Sequence, residues 1–428
     1  MTTTGSRYAA QADATPVPDR ALFDGRLRPA GDGTGRRDAY LPAPTVQNHA
    51  AMLERLGNGD LGLVWFGGTQ EGVSDISIWF SRLPADADRW SSPVQLTDDN
   101  TRSEQNPLLF TAPTGQLWLL YTAQLAGNQD TAEVRRRISD DDGRTWGPVD
   151  TLFPATDRGG VFIRQPLVIT TTGRWLLPIF SCVRVPGEKW SGDHDTSSVM
   201  ISDDQGATWR EVPIPDSTGC VHMSIVELPD RTLYALFRSR WADHIYQSRS
   251  TDDGETWTVP GPTVLPNNNS SIQQRRLADG RIAVIYNHSS QLDATARREN
   301  LYDEIGDEGL IEPEANDSAA LAAPTRPPED MEPATNDREP RKAFWGAPRA
   351  PMTLAMSSDS GLTWDIVGNL DEGDGYCLTN NSREGLNREF SYPVIHQGSN
   401  GDLDLAYTYF RQTIKHVRIP ASWSQPAS

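Results

Sequence analysis

The sequence predicts an all-β fold, a six-bladed β-propeller with four-stranded antiparallel blades, and three observations carry that prediction. A turn of the form Ser-x-Asp-x-Gly-x-Thr-Trp recurs four times, starting at Ser139, Ser202, Ser250 and Ser357. Six hairpin signals run along the chain. The spacing between motif starts is 63, 48 and 107 residues, and the last gap is about two repeat lengths.

The hairpins come in order. The first pairs 50–56 with 61–66 around Asn58-Gly59, and the second pairs 107–111 with 116–121 around Thr114-Gly115. The third pairs 166–171 with 174–180 around Thr172-Gly173, and the fourth pairs 223–228 with 232–238 around Pro229-Asp230. The fifth pairs 272–277 with 281–286 around Asp279-Gly280, and the sixth pairs 392–397 with 403–410 around Asn400-Gly401. Each is two strand-like runs about a tight-turn dipeptide. A third strand ending in the Asp turn and a fourth after it complete a blade. Segment 39–46 is placed to pair with 414–419 and close the ring.

The repeated turn has a mechanical reading. Its Asp accepts backbone N–H bonds two residues on, and its Gly takes a positive φ. Its Trp re-enters the sheet and packs between neighbouring repeats. Asp141, Asp204, Asp252 and Asp359 are therefore turn residues and not catalysts.

Segment 291–342 breaks the pattern, with 14 acidic residues, 6 basic ones and six prolines, a loop composition. It accounts for the long gap, and the outer strands of the fifth module resume near Phe344. It is placed to act as a lid on the pocket mouth or as a contact between subunits. The domain reading is a polar extension over 1–38, the propeller over 39–420 with this insertion, and a tail over 421–428.

Composition excludes several classes. Lys+Arg 39 against Asp+Glu 58 gives a net charge of −19, which opposes nucleic acid or an anionic membrane as partner. An acidic substrate stays open, since a basic pocket can exist on an acidic surface. Cys182, Cys220 and Cys377 are too few and too scattered for a disulfide framework or a metal knuckle. The first 35 residues are polar without an apolar h-region, so the expected location is cytoplasmic. No cofactor is expected, although loop carboxylates leave room for a calcium ion.

A propeller brings equivalent residues of each repeat onto one ring. The residues leading into the inner strands are Gln47-Asn48-His49, Glu104-Gln105-Asn106, Arg164-Gln165, Val221-His222, Gln273-Gln274-Arg275 and Arg388 to Tyr392. Polar groups converging from six modules are what a sugar pocket needs. His49 and His222 are candidate acid–base groups. Arg164, Arg238 and Arg388 are candidate carboxylate clamps, because a guanidinium meets a carboxylate with two parallel hydrogen bonds. Gln105, Asn106, Gln165 and Gln273 are candidate substrate binders, as are the Asn strings at 267–269 and 380–381. Glu71 and Asp75, after the Gly67-Gly68 turn, are candidate acids from the first module.

The Ser-x-Asp-x-Gly-x-Thr-Trp turn resembles the Asp-box of the sialidase superfamily. The stretches VWFGGTQEGVSDISIW (64–79), NNNSSIQQRRLADGRIAVIYNHS (267–289) and EFSYPVIH (389–396) resemble a bacterial neuraminidase-like branch. The resemblance covers about residues 40–420 outside the insertion. It implies a propeller carrying a tyrosine nucleophile whose proton is drawn by a glutamate, which Tyr392 and Glu389 match locally. It also implies a loop Asp as general acid, for which Asp75 is the candidate. The early Phe-Arg-Ile-Pro string of sialidases is absent, and the nearest string is Phe162-Ile163-Arg164-Gln165-Pro166 in the third module. The expected function is an exo-acting sialidase-like hydrolase of a glycan or oligosaccharide with a carboxylated residue. The alternatives are a lyase or α-L-rhamnosidase acting at a rhamnose–glucuronate linkage, and a non-catalytic glycan-binding propeller.

Overall fold

The computed structural model describes residues 19–298, 300–302, 304–306, 341–380 and 382–424. Six antiparallel sheets follow one another along the chain. Blade one comprises Gln47–Arg55, Leu61–Gly68, Ser77–Leu83 and Val94–Gln95, and blade two Ser103–Thr111, Leu117–Gln124, Glu133–Ser139 and Asp150–Phe153. Blade three comprises Gly159–Ile163, Trp175–Val183, Thr196–Ser202 and Arg210–Pro213, and blade four Cys220–Glu227, Leu233–Ser239, His244–Ser250 and Gly261–Pro266. Blade five comprises Gln273–Arg276, Ile282–Asn287, Met352–Ser357 and Asp365–Asp371. Blade six takes Phe390–Gln397, Leu403–Tyr409 and Thr413–Ile419 from the end of the chain. Its fourth strand is Arg37–Tyr40, with Arg28–Pro29 beyond it. Among the described residues no helix is long and apolar enough to cross a membrane.

Ring closure joins the two ends of the chain, with Arg37 opposite Arg418 and Tyr40 opposite Lys415. The closing strand starts two residues before the expected 39 and stops at Tyr40, ahead of Pro42 and Pro44. Proline has no N–H for the ladder, so pairing cannot run on to 46.

Two other expectations need correction. The inner strand of blade three is Gly159–Ile163 rather than 166–171, and Val168–Ile169 is a short second piece on the same neighbour. Residues 164–167 leave the ladder between them, where Pro166 offers no donor. The third strand of blade five begins at Met352, eight residues after the expected Phe344.

The repeated turns are built alike. In the first, Asp141 accepts from the Arg144 N–H at 3.0 Å, the Thr145 N–H at 2.8 Å and the Thr145 hydroxyl at 2.6 Å. The backbone donors lie three and four residues on, not two. The residue before the Gly also adopts positive φ: Asp142, Gln205, Asp253 and Ser360 at 57–64°. The Thr hydroxyl donors hold the Asp204 and Asp359 carboxyls down to about 2. The motif tryptophans do pack between blades. Trp257 joins residues of blades three and four, and Trp364 packs on blades four and five. Each turn follows the third strand of its blade. In an antiparallel blade that is the end opposite the start of the inner strand, so these turns lie far from the polar ring.

At that ring four of the six inner strands share one irregularity. Pairing skips between His49 and Met52, Gln105 and Leu108, Val221 and Ser224, and Ser391 and Val394. In each case two residues face one, a β-bulge that re-aims a side chain. The first bulged residues, Ala50, Asn106, His222 and Tyr392, have φ of 61°, 48°, 54° and 52°. Such values are uncommon outside glycine.

Candidate active site

The bulges aim His222 and Tyr392 at the propeller axis, and the break in blade three adds Arg164. Tyr392 is the hub. Its hydroxyl accepts a hydrogen bond from Arg238 Nη1 at 2.7 Å, and the Arg164 guanidinium lies 5.1 Å from its ring centroid. Its ring is 4.3 Å from the His49 ring and 5.6 Å from the His222 ring.

Arg238 comes from the end of the second strand of blade four. Its Nε donates to Asn269 Oδ1 at 2.8 Å, and its Nη1 lies 3.5 Å from His222 Nε2. Arg164 donates from Nη2 to the carbonyls of Ala51 and Tyr392, both at 3.0 Å. Its Nε and Nη1 are buried and have no hydrogen-bond partner. Among the described residues, neither Arg164 nor Arg238 is paired with a carboxylate. Burial pulls the Arg164 pKa down to about 10 and that of Arg238 to about 9.

The neighbouring arginines are paired. Arg349 Nη1 donates to Glu389 Oε2 at 2.8 Å, and Arg411 Nε donates to Glu389 Oε1. Arg411 Nη1 also donates to Glu71 Oε2 at 2.6 Å. Burial alone would raise the Glu389 carboxyl, but Arg349 and Arg411 more than offset that and hold it ionised. Arg240 donates to Asp195 Oδ2 at 2.6 and 3.0 Å, with Trp345, Trp190 and Phe180 rings 5.2–5.8 Å from its guanidinium. Among the described residues, these five guanidiniums face three carboxylates, Asp195, Glu389 and Glu71.

The two imidazoles lie inside this cationic cage. Burial first, then the surrounding arginines, hold both His49 and His222 well below the ordinary histidine range. They are neutral hydrogen-bonding groups near pH 7. His49 Nδ1 is 2.8 Å from the Thr408 hydroxyl, and His49 Nε2 and His222 Nδ1 have no partner. By strand pairing, the blade-one equivalent of His222 and Tyr392 is Ala50, and His49 corresponds to Ser391.

Arg388 departs from its expected place. It is half-buried away from the hub, paired with Asp374 at 2.5 Å and laid over the Tyr376 ring. The next residue, Glu389, turns inward, and extended backbone sends neighbours to opposite faces. Asp75 is exposed on the loop after the second strand of blade one, where its carboxylate accepts from the Thr69 N–H at 3.2 Å. Glu71, on the same loop, is buried against Arg411. Gln165 donates to the Ile272 carbonyl at 2.6 Å, and Gln273 accepts from the Ile395 N–H at 2.6 Å. These two glutamines tie blades three, five and six together across the axis. Gln105 donates to the Ser103 hydroxyl at 3.0 Å, and Asn106 is buried at its bulge. Asn267, Asn268 and Asn269 are buried in the lead to blade five, Asn380 accepts Gln47 on its carbonyl, and Asn381 lies outside the described residues.

Arg349, Arg411 and Trp345 went unnoticed in the sequence. The dipeptides Phe237-Arg238 and Phe410-Arg411 look alike. Pairing, however, aligns Arg238 with Thr408, three residues before Arg411. Arg411 reaches the axis because Phe410 and Arg411 both adopt positive φ in the turn before the third strand of blade six. No local pattern announces that turn.

Beside the hub lies a small cavity, with room for about one water molecule, lined by Arg298, Leu301, Trp345, Arg349, Asn380 and Glu389, among others. The chain matches the profile of the family described as BNR repeat-like domain over residues 59–405. Its sequence is 29% identical over 185 residues to the anhydrosialidase of Macrobdella decora. That match takes in 40% of this chain and spans only 22% of the relative's length. Its fold is similar to that of a protein of unknown function from Dyadobacter fermentans, with TM-score 0.61, 15% identity and coverage of 90% and 97% of the two chains. It is also similar to the intramolecular trans-sialidase of Ruminococcus gnavus, solved with oseltamivir carboxylate, with TM-score 0.58, 13% identity and coverage of 90% and 98%. A Hadza microbial sialidase matches with TM-score 0.58 and 14% identity over 88% of this chain and 66% of that one.

Proposed function

The chain belongs to the BNR repeat-like family of sialidase-like β-propellers, and from that premise we propose that it is an exo-acting glycoside hydrolase whose substrate carries a carboxylated sugar. The observation that carries this reading is the pair Arg164 and Arg238. Both are buried beside Tyr392 without a counter-carboxylate among the described residues. A buried cation without a partner is costly, and an anionic ligand would supply the missing charge. In this reading the two guanidiniums hold the sugar carboxylate. The Tyr392 phenol passes its proton to the Glu389 carboxylate, and the Arg238 N–H stabilises the phenolate so formed. That oxygen displaces the leaving oxygen at the anomeric carbon, and water then displaces Tyr392. Asp75, the exposed acid at the mouth, protonates the leaving oxygen after releasing Thr69.

A second reading draws support from Glu389, which is committed to Arg349 and Arg411 and so is a poor acceptor for the phenol proton. It is β-elimination from a uronate. There Tyr392 or a neutral imidazole takes the proton α to the carboxylate and an arginine neutralises that carboxylate. A screen of sialylated, glucuronylated and rhamnosylated oligosaccharides, read by mass, separates the two. Hydrolysis adds water, whereas elimination leaves an unsaturated, ultraviolet-absorbing product. Arg238→Ala is expected to lower kcat/KM by about 10²–10³-fold, as for loss of one preorganised donor, while the protein stays folded. Full activity in that variant would end the clamp. Calorimetric binding without turnover on the whole panel would leave a glycan-binding protein.

A further inference from the structure

The neighbours of the two hub imidazoles fix which nitrogen carries the proton. Arginine can only donate, so the 3.5 Å contact with Arg238 Nη1 makes His222 Nε2 an acceptor and puts the proton on Nδ1. At His49 the Thr408 hydroxyl accepts from the Ala50 N–H at 3.1 Å and donates its own hydrogen to Nδ1 at 2.8 Å. The proton of His49 is therefore on Nε2. Both N–H groups, His222 Nδ1 and His49 Nε2, are buried and have no hydrogen-bond partner among the described residues.

Arg164 adds to them. Its Nη2 places its hydrogens on the Ala51 and Tyr392 carbonyls, which leaves the N–H bonds of Nε and Nη1 without an acceptor among the described residues. These donors surround one ring. Tyr392 has the His49 ring at 4.3 Å, the Arg164 guanidinium at 5.1 Å and the His222 ring at 5.6 Å. The Glu389 carboxylate, 3.9 Å from His49 Nδ1, is already held by Arg349 and Arg411. A cluster of unbonded buried donors is destabilising unless something accepts from it. Water is ill suited, because it also has two hydrogens to place and this lining offers donors. A small anion accepts from every direction and offsets the unpaired charge of Arg164 as well. A divalent anion would lose far more hydration in so buried a place, with Arg164, His49 and His222 at 3% exposure or less. Tyr392, at 7%, keeps the hub within reach of solvent.

We infer that the hub is a preformed site for a small monovalent anion, and that chloride occupies it in the resting protein, held by Arg164 and the N–H groups of His49 and His222. A sugar carboxylate binds by replacing that chloride, so chloride competes with substrate. The anion site rests on the unbonded donors alone, and the replacement rests on the glycosidase reading.

The test begins without substrate. The whole protein, freed of halide, is titrated near neutral pH with chloride or bromide from about 1 to 100 mM, with sulfate holding the ionic strength constant. Its melting temperature should rise by about 2–4 °C and level off. Arg164→Met should start above wild type and stay level. A flat wild-type curve, or an equal rise in Arg164→Met, overturns the site. Histidine-selective 15N NMR of wild type gives a readout that needs no variant at position 164, each signal being assigned by its loss in His49→Gln or His222→Asn. It should show the His222 proton on Nδ1 and the His49 proton on Nε2, with both signals shifting as chloride is added. The opposite tautomers, or signals indifferent to chloride, overturn the site. With an oligosaccharide that the protein turns over, raising chloride across the same range should raise KM about tenfold and hold kcat within about twofold. An unchanged KM, or an effect on kcat alone, overturns the replacement. Turnover of no oligosaccharide overturns the glycosidase reading, and the melts and imidazole signals then still decide the anion site.

Discussion

Two buried charge clusters in this propeller are built on opposite principles. At the ring closure, Lys415 is bonded to Asp371 at 2.8 Å and Asp38 at 3.0 Å. Arg36 forks onto Asp38 at 2.7 Å and donates to the Leu370 carbonyl at 2.6 Å. The Tyr407 hydroxyl donates to Asp371. Two cations meet two carboxylates from the closing strand, blade six and blade five. At the axis five guanidiniums meet three carboxylates, and Arg164 and Arg238 are the surplus. A neutral cluster holds segments together. A cluster with surplus charge is less stable by itself and is completed by a ligand of the opposite sign.

The comparison breaks most clearly at the closure. Lys415→Met leaves Asp38 and Asp371 without their shared ammonium and should cost about 3–5 kcal/mol, seen as a large fall in the urea midpoint. A loss as small as that of an exposed ion pair would show that the cluster does not fasten the ring. The counterpart at the axis is Arg164→Met, which removes a buried charge that has no carboxylate among the described residues. It should raise stability by about 2 kcal/mol while abolishing binding of the carboxylated sugar. A destabilisation matching that of Lys415→Met would mean the two clusters do not differ in kind.

The third contrast is in pH. Unfolded histidines protonate near pH 6.5, whereas buried His49 and His222, held below that range by burial and the arginines, stay neutral in the fold. Their contribution is therefore intact above about pH 6.5 and erodes as pH falls, by about 1 kcal/mol per pH unit for each imidazole. Lys415 behaves in the opposite sense. Burial would lower it, but Asp371 and Asp38 raise it. The closure therefore keeps its contribution below the ordinary lysine pKa and weakens only in alkali. Thermal melts from pH 7.5 to 5.0 should show an acid limb that flattens in His222→Asn and is unchanged in Lys415→Met. Identical limbs in all three proteins would remove the distinction.

How much of this was legible depended on whether a feature repeats. The Ser139, Ser202, Ser250 and Ser357 turns are self-contained, since each Asp finds its donors within four residues. Their spacing therefore yields the repeat, and the six hairpins yield the number of blades. The polar ring was legible in outline, because His222 and Tyr392 lie near the starts of their inner strands and Arg164 directly follows that of blade three. The bulges were not, because a bulge is a property of two paired strands. They shift the equivalence so that Ala50, not His49, occupies the blade-one place of Tyr392. Arg349 and Arg411 come from irregular turns without a repeat, and Arg388 differs from inward-facing Glu389 only by which side of the backbone it occupies.

The amino-acid order alone determined the six-fold repetition and the acidic insertion, because each rests on contacts or composition local in the chain. Tertiary structure alone decided which arginines share a carboxylate and which do not. It also decided that Tyr302 and Glu304 of the insertion bond to blades two and one. Pairing of buried charges depends on distances between residues such as Arg164 and Tyr392, 228 positions apart, and no local pattern encodes those distances.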